Sequence, residues 1–198
     1  MSLELSVVVP VLNEEGNVRE LVERLLKVLR GEKLHGFEIV VIDDGSTDDT
    51  TAIMRQLVWD NAEVRLVRLA TNFGQEAAVQ AGMLATSGDW VLQLDGDLQH
   101  PPEEIPKLLA ERGDDCEIVY GIRGARKDPI HRVIASKAMV AVMRTILGIT
   151  LPKDVTTFRL LRGELARFLA GLPEKKKFFS ALAGWSGAKA KSVVVKHA

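Results

Sequence analysis

The sequence predicts an α/β domain with a mostly parallel central sheet and helices on both faces. Apolar runs rich in Val and Ile alternate with segments of helical periodicity through residues 1–120, and this alternation is typical of a parallel sheet. The runs are continuously apolar, as expected of strands that are covered on both faces. A length of 198 residues fits one such domain.

The first 120 residues provide five predicted strands and four predicted helices. The strands are expected at residues 5–11, 37–42, 64–69, 90–94 and 118–120, and the helices at 17–29, 48–58, 75–86 and 102–112. In the first helix one face carries only apolar side chains, namely Val18, Leu21, Val22, Leu25, Leu26 and Leu29. Because ligands of such sheets bind at the carboxyl ends of the strands, the residues that follow each strand are the candidates for a site.

The pattern changes after residue 120. We expect a Gly- and Arg-rich loop at residues 121–129, suited to a mobile active-site loop, and then an amphipathic stretch at 131–147. A strand at 156–161, helices at 163–170 and 178–185 and a last strand at 192–195 follow. We interpret residues 1–198 as a single domain, cut from a longer protein that continues with a basic or membrane-associated segment.

Composition excludes several classes of protein. With 46% hydrophobic and 27% charged residues, the chain is neither disordered, collagen-like nor a coiled coil. Its one cysteine, Cys116, cannot form an intramolecular disulfide, which favours a cytoplasmic protein. No signal peptide or apolar membrane span is evident.

The two parts of the chain have opposite charge. Residues 1–120 carry a net charge of −13 and residues 121–198 a net charge of +12. The acidic part suits a divalent metal, and the basic part suits phosphate or an anionic membrane surface. The alternative is that each part only solvates its own surface.

Two carboxylates follow the second predicted strand. Asp43 and Asp44 precede Gly45, Ser46 and Thr47, which form a turn before a helix. Carboxylates at this edge suit the hydroxyls of a ribose or the edge of a base, whereas they would repel a phosphate. The alternative is that both residues only cap and turn the chain.

The fourth predicted strand ends in a second acidic segment, Asp95-Gly96-Asp97-Leu98-Gln99-His100. Two carboxylates separated by one small residue can converge on Mg²⁺ or Mn²⁺, with Gln99 adding a carbonyl oxygen. His100 is either a third ligand or a turn residue before Pro101. An Asp-x-Asp pair is a weak motif alone, and its position at a strand end strengthens it. The sequence has no phosphate-binding P-loop and no dinucleotide-binding glycine motif.

Taken together, four segments resemble the family 2 glycosyltransferases. They are residues 7–15 (VVVPVLNEE), 42–46 (IDDGS), 72–78 (NFGQEAA) and 95–102 (DGDLQHPP). Later segments, including residues 120–123 and 158–161, resemble the branch that transfers sugars to polyprenyl phosphates, namely dolichol-phosphate mannose synthases and bactoprenol glucosyltransferases.

The resemblance implies a GT-A fold, which is the nucleotide-diphospho-sugar transferase fold, with a nucleotide-sugar over the strand ends. The residues implied in donor binding are Pro10, Val11, Asn13, Glu15, Asp43, Asp44, Gly74, Asp95 and Asp97. It also implies that Asp97 and Gln99, with Asp95 beside them, hold Mg²⁺ or Mn²⁺ on the diphosphate. The metal would neutralise the leaving nucleoside diphosphate.

The same resemblance implies that Arg123, Arg132 and Ser136 bind the phosphate of a polyprenyl (dolichyl or undecaprenyl) acceptor at the cytoplasmic face of a membrane. Lys175, Lys176 and Lys177 form either a membrane-surface patch or a solvated charge run. No nucleic acid partner is expected, and no oligomeric state is predicted.

One position departs from the family. The bactoprenol enzymes usually carry an Asp immediately before the Phe-Arg pair, and this chain has Thr157 there. Asp154, three residues earlier, is the alternative candidate for this role, or else it is only a turn residue. The predicted catalytic residues are then Asp97, Asp154 and Arg123. A lipid phosphate is already ionised at neutral pH and needs little help as a nucleophile, whereas a sugar hydroxyl would need a base.

The sequence therefore predicts an inverting, metal-dependent hexosyltransferase with a lipid-phosphate acceptor. Two alternatives stay open. One is a transferase that acts on a saccharide hydroxyl in cell-surface polysaccharide synthesis, and the other is a non-catalytic nucleotide-sugar-binding domain.

Overall fold

The computed structural model describes residues 3–124, 155–173 and 179–197. The predicted residues Arg132, Ser136 and Asp154, the stretch at 131–147 and the lysines at 175–177 lie outside these ranges. In the described part of the chain, no helix is long and apolar enough to cross a membrane.

The described residues form a seven-stranded sheet with helices packed on it. The strands are β1 (Leu5–Val11), β2 (Phe37–Asp43), β3 (Val64–Arg68), β4 (Trp90–Gln93), β5 (Ile118–Arg123), β6 (Val155–Arg162) and β7 (Ala190–Val195). The helices are α1 (Val18–Gly31), α2 (Thr50–Asp60), α3 (Gln75–Leu84), α4 (Ile105–Ala110), α5 (Gly163–Gly171) and α6 (Phe179–Trp185). A 3₁₀ turn at Pro102–Glu104 precedes α4.

The strand order is β3-β2-β1-β4-β6-β5-β7. Strands β3, β2, β1 and β4 are parallel, β6 is antiparallel to both β4 and β5, and β7 is parallel to β5. The chain moves outward from β1 to β3 and then returns to β4 on the other side of β1. This reversal opens a crevice at the carboxyl ends of β1 and β4, which is where α/β sheets bind ligands.

Both faces of the sheet are buried along β1, β2 and β4, which confirms the prediction from the continuous apolar runs of these strands. Along β1, Val7 and Val9 pack with α1, α2 and α4, whereas Val8 packs with α3 and α5 on the opposite face. The predicted apolar face of α1 is fully inside, and all six of its apolar side chains are buried. The edge of the sheet that carries the site is therefore supported by a packed core on both faces.

Several predicted boundaries shift. The strand expected at 118–120 continues to Arg123, because β7 pairs with it along its whole length, so residues 121–123 are strand and not loop. The helix expected at 102–112 is a 3₁₀ turn followed by the short α4, with Pro102 and Pro106 at the starts of these two pieces. Proline has no backbone N–H to donate, so it fits the first turn of a helix but not its interior.

Candidate functional site

The carboxyl ends of β1 and β2 are joined by hydrogen bonds between the loops that follow them. The backbone N–H of Asn13 donates to Ser46 Oγ at 2.9 Å, and the N–H of Thr47 donates to Asn13 Oδ1 at 2.9 Å. Asn13 has a left-handed backbone with φ of 55°, a conformation that asparagine tolerates better than most residues. The predicted nucleotide-binding residue Asn13 therefore has its side-chain oxygen engaged by the neighbouring loop.

Glu15 is engaged in the same way. Its carboxylate Oε2 accepts a hydrogen bond from the N–H of Asp49 at 3.0 Å, and its own N–H donates to Asp48 Oδ2 at 3.2 Å. Asp49 is the residue before α2, so Glu15 fixes the start of that helix to the β1 loop. This contact stabilises the rim of the site.

Asp43 is fully buried at the end of β2. Its carboxylate accepts hydrogen bonds from the N–H of Ser46 at 2.8 Å and from the hydroxyl of Thr51, and Arg68 Nε lies 3.6 Å away. Burial alone would raise the pKa of Asp43, but the hydrogen bonds from Ser46 and Thr51 and the charge of Arg68 together hold it below its ordinary value. Asp43 is therefore an ionised carboxylate held inside the protein.

Asp44 connects β2 to the loop before α3. One of its carboxylate oxygens accepts the N–H of Phe73 at 2.8 Å, and the other accepts the N–H of Gly74 at 2.9 Å. The turn passes close to this loop at Gly45, which has φ of 78° and where a Cβ would lie 2.6 Å from the backbone of Thr71. Only glycine fits there.

The segment after β4 presents the second acidic pair. Gly96 packs against the end of β1, where an added Cβ would lie 2.8 Å from Val11 Cγ1. This close approach places Asp95 and Asp97 beside β1. Asp97 is exposed and its Oδ1 accepts the N–H of Gln99 at 3.0 Å.

Asp95 is held by two side chains from other elements. Gln75 Nε2 donates to Asp95 Oδ1 at 2.8 Å, and Thr157 Oγ1 donates to Asp95 Oδ2 at 2.5 Å. The prediction from sequence singled out Thr157 only as a departure from the family and did not consider Gln75. The signal for Gln75 was its position as the first residue after Gly74, at the start of a helix on the ligand edge.

A cavity of about 390 Å³ lies over these residues, within the size range of small-molecule sites. It is lined by Pro10, Val11, Leu12, Glu14, Asp44, Asn72, Gly74, Gln75, Ala78, Asp95, Gly96 and Asp97. The structure thus brings six of the predicted donor residues together around one space. The other three, Asn13, Glu15 and Asp43, are not among the residues that line it.

A larger groove of about 1170 Å³ lies at the opposite edge of the sheet, near the starts of β1, β4 and β5. It contains none of the predicted site residues, and its charges are of both signs, including Arg112, Arg162, Asp89 and Glu117. Since ligands of this topology bind at the carboxyl ends of the strands, we assign the candidate site to the smaller cavity.

The side chains at the site are compatible with a divalent metal. Among the described residues no group of three or more His, Cys, Asp and Glu side chains converges on one point, so a closed protein cage is not formed there. Asp97 and Gln99 are both exposed and offer hard oxygen atoms. Mg²⁺ is commonly bound by one or two carboxylates together with substrate phosphates, and this arrangement fits that pattern.

Beneath the acidic segment lies a group of basic side chains. Arg123 Nη2 donates to His197 Nε2 at 2.6 Å, so the proton of this imidazole must be on Nδ1, because arginine cannot accept. The ring of His197 packs edge-on against that of His100, with 4.8 Å between ring centroids. Sequence analysis did not identify His197.

His100 is buried and has no hydrogen-bond partner for either ring nitrogen within the described residues. Burial lowers the pKa of His100 from its ordinary value, and the charge of Arg123 lowers it further, against the opposing effect of Asp95 and Asp97. His100 therefore packs as a neutral ring beside Phe158, with 5.6 Å between the two ring centroids. Its depth argues against the role of metal ligand.

The fold is that of GT-A glycosyltransferases. A mannosyltransferase from Pyrobaculum calidifontis, solved with GDP-Man and Mn²⁺, superimposes with a TM-score of 0.71 at 18% identity, covering 100% of this chain and 57% of that one. Glucosyl-3-phosphoglycerate synthase from Mycobacterium tuberculosis, solved with Mn²⁺, UDP-Glc and phosphoglyceric acid, gives a TM-score of 0.71 at 22% identity, with 98% and 71% coverage.

The chain belongs to glycosyl transferase family 2, whose sequence profile matches residues 6–167. An uncharacterised glycosyltransferase of Synechocystis is 34% identical over 94% of this chain and 59% of its own length. An undecaprenyl-phosphate 4-deoxy-4-formamido-L-arabinose transferase of Pseudomonas fluorescens is 34% identical over 98% of this chain and 57% of its own length. The chain thus spans less than two thirds of these curated relatives.

Proposed function

We propose that this chain is the catalytic domain of an inverting, metal-dependent glycosyltransferase that moves a hexose from a nucleotide-sugar to a polyprenyl phosphate. The observation that carries the proposal is the cavity at the carboxyl ends of β1 and β4, where Asp44, Asp95 and Asp97 line one space. The similarity to undecaprenyl-phosphate transferases supports the class of acceptor.

The cavity suits a nucleotide-sugar in both shape and polarity. Pro10 and Val11 provide an apolar wall for the base and ribose, and Asp95 and Asp97 lie at its acidic end. The first turn of α3 begins beside this end at Gln75, and a helix N-terminus favours a negatively charged group such as a diphosphate.

We assign the metal to Asp97 and Gln99, with Asp95 beside them. When bound there, a divalent cation supplies the positive charge that neutralises the departing nucleoside diphosphate. Asp97 suits this role because it is exposed, and its Oδ2 accepts no hydrogen bond within the described residues.

The acceptor phosphate is proposed to bind at Arg123, at the end of β5. One terminal nitrogen of this guanidinium is engaged by His197, and its Nε is buried without a partner among the described residues. A phosphate oxygen attacks the anomeric carbon while the bond from that carbon to the nucleoside diphosphate breaks, so the configuration inverts. The ionised phosphate has no proton to lose, which is consistent with Thr157 in place of a carboxylate.

The names of the similar proteins point to different sugars. The structural neighbours are named for mannose and glucose, whereas the sequence relatives are named for 4-deoxy-4-formamido-L-arabinose. We propose a hexose as the first expectation, and Mg²⁺ or Mn²⁺ as the metal. With a lipid acceptor, the domain would work at the cytoplasmic face of a membrane.

The test is transfer by the 198-residue chain in detergent micelles. The donors are UDP-glucose, GDP-mannose and nucleotide-activated 4-deoxy-4-formamido-L-arabinose, and the acceptors are undecaprenyl phosphate and a free oligosaccharide. We expect product only with the lipid phosphate, and none after EDTA treatment. We expect Arg123→Met to raise KM for the lipid by at least about tenfold, because it removes a charge-assisted contact.

Arg19→Met on the exposed surface of α1 is the matched control and should leave KM unchanged. Transfer only to saccharide hydroxyls would contradict the proposal and favour a polysaccharide-forming enzyme. Metal-dependent donor binding without hydrolysis or transfer to any acceptor would favour a nucleotide-sugar-binding domain.

A further inference from the structure

We propose that Thr157 and Gln75 are positioning residues that fix the carboxylate of Asp95 for donor binding. The inference rests on the proposed function, because it assigns a task to two side chains beside the proposed donor site. Neither residue was among the predicted site residues.

The geometry places one donor on each oxygen of this carboxylate. Thr157 Oγ1 lies 2.5 Å from Asp95 Oδ2, and Gln75 Nε2 lies 2.8 Å from Asp95 Oδ1. With both oxygens held, the carboxylate plane cannot rotate freely. Each oxygen keeps a second lone pair that can accept a hydroxyl of the ligand.

The sheet register explains why Thr157 is opposite Asp95. Strands β4 and β6 are antiparallel, and Gln93 pairs with Arg159 at the end of their ladder. Two more residues along this register bring Asp95 opposite Thr157. Side chains at directly opposite positions on one face of an antiparallel pair are close enough to interact, so the antiparallel β6 is what delivers the hydroxyl.

Gln75 comes from a different part of the fold and is also held in place. It is the first residue of α3, and the N–H groups of the two residues before it donate to Asp44 at the end of β2. The segment from Phe73 to Gln75 therefore connects the acidic ends of β2 and β4. Asp95 is fixed from both sides of the crevice.

The chemistry at position 157 determines whether Asp95 is supported or repelled. A hydroxyl donates to the carboxylate, and hydrogen bonds to a charged acceptor are stronger than neutral ones. A carboxylate at position 157 would instead place two like charges directly opposite each other, which is unfavourable. Thr157 is thus suited to hold the carboxylate of Asp95 in one orientation for a hydroxyl of the donor.

The experiment compares four variants by calorimetry with nucleoside diphosphate and Mn²⁺, and by donor KM and kcat. Thr157→Val removes the hydroxyl at constant shape and should weaken nucleotide binding and raise the donor KM by roughly tenfold, with a smaller change in kcat. Thr157→Ser keeps the hydroxyl and should stay within about threefold of wild type. Thr157→Asp should bind more weakly than Thr157→Val.

Thr156→Val is the matched control. Thr156 is the adjacent residue on β6, and its hydroxyl donates to the carbonyl of Gly121, away from Asp95. This variant can lose stability but should bind nucleotide as the wild type does. Melting temperatures of all four variants separate loss of binding from loss of fold.

The possible failures are distinguishable. If the wild type binds nucleotide with Mn²⁺ and folded Thr157→Val binds equally well, the positioning role is wrong and the proposed function stands. If Thr157→Asp transfers sugar faster than wild type, position 157 is the site of a catalytic base and the inference is overturned. If the wild type binds no nucleotide, the proposed function itself is wrong, and the inference fails with it.

Discussion

At the scale of single residues, the four carboxylates at the strand ends differ in what holds them. Asp43 and Asp44 are buried and accept hydrogen bonds from the protein, whereas Asp97 is exposed and accepts one from its own loop. A buried carboxylate that is already satisfied stabilises the fold, and an exposed one is available for a ligand. Burial therefore distinguishes Asp43 and Asp44 from Asp97, although the sequence pattern predicts all three as carboxylates of the donor site.

Substitution of Asp43 by Asn should destabilise the protein in a pH-dependent way. Because the pKa of Asp43 in the folded state is lowered from its ordinary value, the ionised carboxylate stabilises the fold above its unfolded pKa, and this contribution is lost as the pH falls through the folded value. We expect Asp43→Asn to lower the free energy of unfolding by about 2 kcal/mol at pH 7.

Urea unfolding between pH 7 and pH 2 measures this effect. The difference between wild type and Asp43→Asn should shrink below about pH 4, where the unfolded carboxyl group protonates. Asp60→Asn, at the exposed end of α2, is the control and should change little. A difference that stays constant down to pH 2 would contradict the role given to Asp43.

At the scale of elements, the position of β6 was predicted from the sequence, but its direction in the sheet was not. The position of this strand was predicted, and so was the alternation of strands and helices that precedes it. Its antiparallel direction was not, because direction depends on the path of the chain between β5 and β6 and leaves no periodic signal in the strand. The contact between Thr157 and Asp95 follows from that direction, so the sequence could not predict this contact either.

The antiparallel pair of strands β4 and β6 contains a buried arginine. Arg159 on β6 is almost fully buried, and its Nε and Nη2 donate to Gln93 Oε1 on β4 at 2.9 and 2.7 Å. Burial lowers the pKa of Arg159, yet arginine stays charged in proteins. The charge therefore depends on oxygen atoms supplied by its neighbours.

Gln93→Met should destabilise this junction, because it removes an acceptor that takes two hydrogen bonds from a buried cation. We expect the free energy of unfolding in urea to fall by about 1 to 3 kcal/mol. Gln56→Met, on the exposed side of α2, makes the same chemical change and should alter stability by less than about 0.5 kcal/mol. Equal losses in the two variants would show that the β4–β6 pair is not the cause.

At the scale of the whole molecule, the sequence predicted the fold class, the family and the edge of the sheet that carries the cavity. It predicted six residues of the cavity lining. Asp44, Asp95 and Asp97 follow β2 or β4, whereas Pro10, Val11 and Gly74 came from the resemblance to the family. The other three predicted donor residues, Asn13, Glu15 and Asp43, do not line the cavity, and their side chains accept hydrogen bonds from neighbouring loops. Such loop-to-loop hydrogen bonds join residues more than 30 positions apart, or across a turn, and only the folded chain reveals them.

Ligand binding at this cavity should stabilise the whole domain. A nucleotide at 100 times its Kd adds about 2.7 kcal/mol of stability by mass action, which raises the Tm of a domain of this size by roughly 5 to 10 °C. We expect this increase with nucleoside diphosphate and Mn²⁺ together, and not after EDTA treatment. A Tm that is unaffected by millimolar nucleotide and Mn²⁺ would contradict the proposal that this cavity binds a nucleotide with a divalent metal.

The most direct test of the account is calorimetric titration of UDP, GDP and CDP, with and without Mn²⁺, on wild type and Asp97→Asn. We predict that one nucleotide binds tightly only with Mn²⁺, and that Asp97→Asn weakens this binding by at least roughly 10- to 100-fold, which is the loss caused by substituting groups that only support a metal's direct ligands. Because Asp97 is exposed, the variant should keep its fold. Binding that ignores both the metal and the substitution would contradict a metal-dependent nucleotide-sugar site at Asp97.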